Sequence, residues 1–224
     1  MQINRKGIYQ EFDARGDIRT DERWQAITLP DGSIYVENET VRMRPSPEPR
    51  SDTVTYILDS QLHLIDFSIH GLLGKRESRI CVLGTDRAAA TLCWRHLGAV
   101  HETRISWRED IEIDYTSALL TMISIWRMRL NPGESTHRVL QRLDPLTFEP
   151  RTATLTLRRL RRELHHTAFG NLSLHRYERV IDNAADNAAD NAADLLWCDD
   201  EGVVFEMRLA AGGGYRLAAT TVEV

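Results

Sequence analysis

Several features are scarce in this 224-residue chain, and each scarcity excludes something. Cysteine occurs only at Cys81, Cys93 and Cys198. An odd number without paired spacing makes neither a disulfide frame nor a zinc site, so these read as reduced, half-buried strand residues. Long apolar runs are missing, and none approaches the roughly 18 residues needed to span a bilayer. Positive charge is not in excess either: 28 Lys and Arg against 33 Asp and Glu leave a net charge of −5. That balance argues against a polyanion binder, so no nucleic-acid partner is expected. The opening Met1-Gln2-Ile3-Asn4-Arg5-Lys6-Gly7 has no apolar run and no small-residue cleavage site, which makes a cytoplasmic location the expectation.

The signatures of several chemistries are also lacking. There is no Gly-x-Ser-x-Gly elbow and no cysteine in a catalytic motif. Gly212-Gly213-Gly214 lies between two strand patterns with no helix after it to cradle a phosphate, so it reads as a hairpin turn. Of the eight histidines, His165 and His166 are adjacent and would point to opposite faces of a strand. His63 and His70, seven apart, also face oppositely. No metal and no cofactor are expected.

What is present is a globular composition, 42% hydrophobic and 27% charged, and one phrase of chain written four times. An apolar strand meets an aspartate corner and a second strand leaves it. The corners are Asp31-Gly32, Asp59-Ser60, Asp144-Pro145 and Asp199-Asp200. Aspartate can accept backbone N–H bonds two residues on, and a neighbouring Gly or Pro supplies the special φ. Four such hairpins predict an all-β fold: a strongly curved antiparallel sheet, or incomplete β-barrel, formed by one domain over residues 1–224. Arg44-Pro45-Ser46-Pro47-Glu48-Pro49-Arg50 reads as a polyproline-type crossing, because proline lacks the ladder donor. Three copies of Asn-Ala-Ala-Asp, between Asp182 and Asp194, read as a low-complexity surface loop between strands.

The period changes once. Ser117 can cap Ala118-Leu119-Leu120-Thr121-Met122-Ile123-Ser124-Ile125-Trp126-Arg127, a run that is apolar nearly all round. A buried helix and a strand both fit, and the helix, over 117–128, is the expectation. Arg158-Arg159-Leu160-Arg161-Arg162 is the only basic cluster. With period 2 it suits a solvated edge or outer strand. Its sharper reading is an anion clamp for a phosphate or carboxylate, which the arginine fork suits.

Leu143-Asp144-Pro145-Leu146-Thr147-Phe148-Glu149-Pro150-Arg151 resembles a hairpin of LolA/LolB-type lipoprotein-carrier proteins and related bacterial domains of unknown function. Ile113-Asp114-Tyr115-Thr116-Ser117 before the helix, and Leu172-Ser173-Leu174-His175-Arg176-Tyr177 and Leu196-Trp197-Cys198-Asp199 after it, extend the similarity over about residues 50–220. A violacein-pathway rearrangement enzyme looks similar at the same hairpin. The resemblance implies a sheet wrapped around short helices with a hydrophobic concavity, which takes acyl chains in the carriers and an aromatic intermediate in the enzyme.

A patch of eight residues follows as the candidate site. Asp114, His175 and Tyr177 are the expected catalytic groups, with Asp114 or His175 as acid or base and Tyr177 as orienting hydroxyl. His175 and Tyr177, two apart, would share a strand face about 7 Å apart. Tyr115, Trp126, Arg127, His137 and Trp197 are the expected substrate-binding groups, with Arg127 the anion partner and the tryptophans flat apolar walls. The function expected is a cofactor-independent enzyme that cyclises, rearranges or hydrates a lipophilic or aromatic small molecule. The alternative is a non-catalytic small-molecule or lipid carrier, and self-association is compatible with either.

Overall fold

In the computed structural model of the chain, the aspartate corners fold alike. The structure describes residues 2–42, 50–73, 77–86, 89–96, 98–106, 111–115, 117–182 and 192–222. Turns beginning at Asp13, Leu29, Asp59, Asp199 and Leu209 share one hydrogen-bond pattern. The first residue's N–H donates to the carbonyl four residues on, and its own carbonyl accepts the N–H three residues on. The residue three on has positive φ: Gly16, Gly32, Leu62, Gly202 and Gly212. This is a type I turn followed by a left-handed residue, which returns the chain antiparallel with a one-residue bulge. Aspartate side chains brace the turns as expected. Asp59 Oδ1 accepts from Gln61 and His63 at 2.8 Å, Asp199 Oδ1 from Glu201 at 3.0 Å and Val203 at 2.8 Å, and Asp31 Oδ1 from Ser33 at 2.9 Å. Asp13 does the same for Arg15 and Asp17, a corner the alternation of the first strands is too weak to reveal. The Asp144 turn is one residue longer and puts Phe148 at φ 63°.

The strands so joined are β1 (Asn4–Phe12), β2 (Ile18–Thr28), β3 (Ile34–Arg42), β4 (Arg50–Leu58), β5 (Leu64–Leu73), β6 (Glu77–Asp86), β7 (Ala89–His96) and β8 (Ala99–Ser106), followed by β9 (Ile111–Asp114). After the helix α1 (Ala118–Met128) come β10 (Ser135–Leu143), β11 (Pro150–Thr167), β12 (Gly170–Asp182), β13 (Asp194–Cys198), β14 (Val204–Arg208) and β15 (Gly214–Val222). They form one sheet in the order β8-β7-β6-β5-β4-β3-β2-β1-β15-β14-β13-β12-β11-β10-β9. All neighbours are antiparallel except β9 and β10, which run parallel because α1 makes the crossover between them. The two edges, β8 and β9, are consecutive in the chain. Ser106 and Ile111 are five Cα steps apart, so those ends lie within about 19 Å of each other. The sheet is therefore a curled, unclosed barrel, as expected.

α1 fills the concave side. Ser117 caps it by accepting the Leu119 N–H at 3.1 Å, Arg129 ends it in the left-handed conformation, and every helical residue but Arg127 is buried. The inward strand positions, among them Tyr9, Trp24, Val36, Tyr56, Leu155 and Leu217, make one core with it.

One expectation needs correction. The basic run lies on β11 where the β10 ladder ends, at Arg158, so beyond it the strand is laddered on its β12 side alone, as an edge. Period 2 does not persist through the run. A bulge between Arg159 and Arg162 sets Arg159 opposite Tyr177 and Arg162 opposite His175, so the face alternation restarts within the run. The proline-rich crossing falls mostly on 43–49 and the Asn-Ala-Ala-Asp repeat mostly on 183–191, both outside the described residues. The former joins β3 and β4, which pair directly.

Candidate functional site

Alternate residues of β12 point inward: His175, Tyr177 and Arg179. The first two face the C-terminal end of α1 across a cavity of about 380 Å³. One wall is apolar, formed by Ile3 ahead of β1, Ile125 and Trp126 of α1, Leu130 just beyond it, Tyr177, and Val203 of the β13–β14 turn. Trp126 is fixed by its indole N–H, which donates to the Glu201 carbonyl at 2.9 Å. Gly202 lets that turn lie against the indole. It has φ +80°, and a Cβ there would sit 2.9 Å from Trp126 Cδ1.

The rest of the lining is charged. Arg5 holds Asp199 at 3.1 Å and Glu201 at 2.5 Å. Burial pushes the Asp199 carboxyl up, against the backbone donors of its own turn and Arg5. Asp200 Oδ1 accepts from His175 Nε2 at 2.7 Å and its Oδ2 from Arg162 Nη2 at 2.8 Å, which together hold its carboxyl below the usual range. Arg159 Nη1 donates to the Leu130 carbonyl at 2.7 Å. Its Nη2 lies 3.0 and 2.8 Å from the two ring nitrogens of His175, and its guanidinium carbon is 5.9 Å from the centre of the Tyr177 ring. Burial raises the Tyr177 hydroxyl to about 12, so it acts as a neutral donor or acceptor at neutral pH. The result is an amphipathic hollow: apolar and aromatic side chains beside arginine and a histidine–aspartate pair.

Three of the eight sequence-predicted residues, Trp126, His175 and Tyr177, meet here. The other five do not. Asp114 is buried near Arg179 (3.5 Å) and Arg142 (3.7 Å) beside the middle of α1. Tyr115 donates its hydroxyl to Asp52 at 2.7 Å and packs edge-on against Phe148. Arg127, the expected anion partner, is inside the core with Glu112 at 2.8 Å and the Leu62 and Ile111 carbonyls at 2.9 and 2.6 Å. His137 is exposed, its Nδ1 2.8 Å from Thr156 Oγ1, on the face opposite Leu140. Trp197 is on the outer face: it stacks on His165 at 4.2 Å and donates to Glu163 at 2.6 Å. That contact exists because the β11–β12 hairpin outruns β13 and bends back over it. Arg5, Arg129, Arg159 and Asp200 complete the cavity. Only Arg159 had a sequence signal, the basic run.

A second polar cluster is closed. Glu22 of β2 accepts from the Asn38 side-chain amide at 2.6 Å and from the Ser117 hydroxyl, at the N-terminus of α1. Burial raises its carboxyl above the usual value, against the hydrogen bonds from Ser117 and Asn38, and its Oε2 has no hydrogen-bond partner. Among the described residues no three His, Cys, Asp or Glu side chains are placed to hold a metal ion, and no helix is long and apolar enough to cross a membrane.

The chain matches no protein-family model and no curated protein. It is similar in fold to two solved structures. One is a beta-barrel-like protein of the domain of unknown function DUF1849 from Brucella abortus, with TM-score 0.66 and 8% identity over 100% of this chain and 99% of that one. The other is a DUF1089 family protein from Pseudomonas aeruginosa, with TM-score 0.53 and 18% identity over 82% of this chain and 87% of that one. At such identities the likeness is one of fold, and it agrees with the expected kinship to curved-sheet bacterial domains of unknown function.

Proposed function

We propose that this chain binds an amphipathic small molecule, with an aromatic or lipophilic body, in the cavity at the C-terminal end of α1. The observation that carries the reading is the cavity itself. About 380 Å³ lies within the size range of small-molecule sites, and Trp126 and Tyr177 offer rigid aromatic surface facing a few convergent polar groups. The resemblance of the Leu143–Arg151 segment to the lipoprotein carriers and to the violacein-pathway enzyme supports the same reading. Those proteins are expected to use the concave side of a like sheet for an acyl chain or an aromatic intermediate.

A second reading, acid–base turnover of the bound molecule, is favoured by the His175–Asp200 contact at 2.7 Å, in which the carboxylate orients the imidazole. Binding is the leading reading because Arg159 and Asp200 between them lie against both ring nitrogens of His175. The test is native mass spectrometry of the chain purified from its own host, with extraction of whatever is bound. One apolar or amphipathic molecule per chain, lost in Asn131→Trp at the cavity mouth, is the expected result. A chain that carries nothing and binds no hydrophobic probe at this site would sink the reading. If His175→Ala still binds the extracted molecule but no longer converts it, the enzyme reading prevails.

A further inference from the structure

The charges lining the cavity balance in number, Arg5, Arg129 and Arg159 against Asp199, Asp200 and Glu201, but not in pairing. Each carboxylate of the wall has a cation: Asp199 and Glu201 share Arg5, and Asp200 has Arg162. Arg159 has none. Among the described residues no carboxylate lies within ion-pair distance of it; it donates to one neutral carbonyl and rests against His175 and Tyr177. Its Nε is buried without an acceptor. Arg159 is half-buried, so its guanidinium is partly shielded from water without a counter-charge, and an incoming anion supplies one. Nε and Nη2 form the edge of the fork that takes an oxyanion side-on, and Nη1 is already committed to Leu130.

Resting on the binding site proposed above, we propose that its ligand carries an oxyanion, a carboxylate or a phosphate, held by Arg159 while its body lies on Trp126 and Tyr177. The arrangement orders the ligand. The head group enters beside His175, where Arg159 swings from the imidazole to the anion, and the apolar part points toward Ile125 and Ile3. Binding thereby also frees His175 from the guanidinium.

The test is isothermal titration of the full-length chain, in low-salt buffer, with three probes of one shape: 1-naphthaleneacetate, its neutral amide, and 1-naphthyl phosphate. The carboxylate should bind at least tenfold more tightly than the amide, with the advantage shrinking as salt is raised. Arg159→Gln should reduce the ratio to within about twofold, chiefly through lost affinity for the carboxylate, and Arg159→Lys should keep part of it. A phosphate preferred over the acetate would assign the head group to a phosphate ester, and the reverse order to a carboxylic acid. Equal binding of acid and amide by the wild type overturns the oxyanion and leaves the site standing. A preference abolished by Arg129→Gln and not by Arg159→Gln overturns the assignment of the oxyanion to Arg159, since Arg129 also lines the cavity. No binding of any probe sinks site and oxyanion together.

Discussion

The two ends of α1 both face clusters of polar side chains, yet one end is sealed and the other open. At the N-terminus, Glu22, Asn38 and Ser117 bond one another, Asn38 also accepts the Val54 N–H, and Glu22 is only 1% exposed. At the C-terminus, Arg159, His175 and Asp200 border about 380 Å³ of space beside apolar side chains. Buried polarity alone therefore does not mark a site. The closed cluster joins the helix start to β2 and β3, whereas at the open end a cation without an ion-pair partner and an aromatic wall share one hollow. The same division separates two arginines. Arg127 is saturated by Glu112 and two carbonyls, and Arg159 is not.

The largest effect should come from breaking the saturated member of that pair. Arg127→Leu leaves Glu112, 1% exposed, without its counter-charge and should cost about 3–5 kcal/mol in urea unfolding. Replacing both partners by apolar residues should recover most of the loss. Arg159→Gln, at the open end, should cost only about 1 kcal/mol, the value of one lost hydrogen bond. If the two single substitutions cost the same, the division between a structural and a ligand-facing arginine fails. Gly202→Ala should come next, at about 2 kcal/mol in thermal melts. It combines a left-handed backbone with a Cβ driven onto Trp126, and it should disturb the apolar wall as well. Gly16→Ala is the reference: φ is +87° there too, but nothing lies within 4 Å of the added Cβ. The difference between the two variants isolates the contact with Trp126.

What could be read from the sequence was local. Asp31, Asp59, Asp144 and Asp199 announce their turns because the side chain bonds backbone two residues away. Ser117 and the breaker-free run after it announce α1, and two-residue spacing puts His175 and Tyr177 on one face. What could not be read depends on distant partners. The bulge in β11 redirects Arg162 and the strand beyond it without any Gly or Pro to mark it. Trp197, on the outer face opposite Arg176, is buried there because the hairpin carrying Glu163 and His165 bends over it. Arg127 looked like an anion partner for want of knowing that Glu112, on β9, would reach it first. Leu62 stands where four sister turns have glycine, since its side chain is needed in the core and its carbonyl holds Arg127.

The smallest effect should be at Glu22, and it should be visible mainly as a change of slope. Burial raises this carboxyl above its ordinary 4.5, so between 4.5 and the raised folded value the native state holds a proton that the unfolded chain has released. Stability then falls as pH rises through that window and is lower by a constant amount above it. Glu22→Gln keeps an acceptor for Ser117 and Asn38 and cannot ionise. Below pH 4.5 the variant and the wild type should agree within about 1 kcal/mol. Above it the variant should become the more stable of the two, by a margin that grows and then levels off. Glu112, also raised by burial, is present in both proteins and cancels from the difference. Urea midpoints measured from pH 4 to 8 decide the matter. A wild type that gains on the variant as pH rises would mean that Glu22 is ionised and stabilised by its surroundings, Arg42 among them. The N-terminal end of α1 would then hold a charge that its neutral partners do not account for, and the contrast between the two ends of the helix would lose its physical basis.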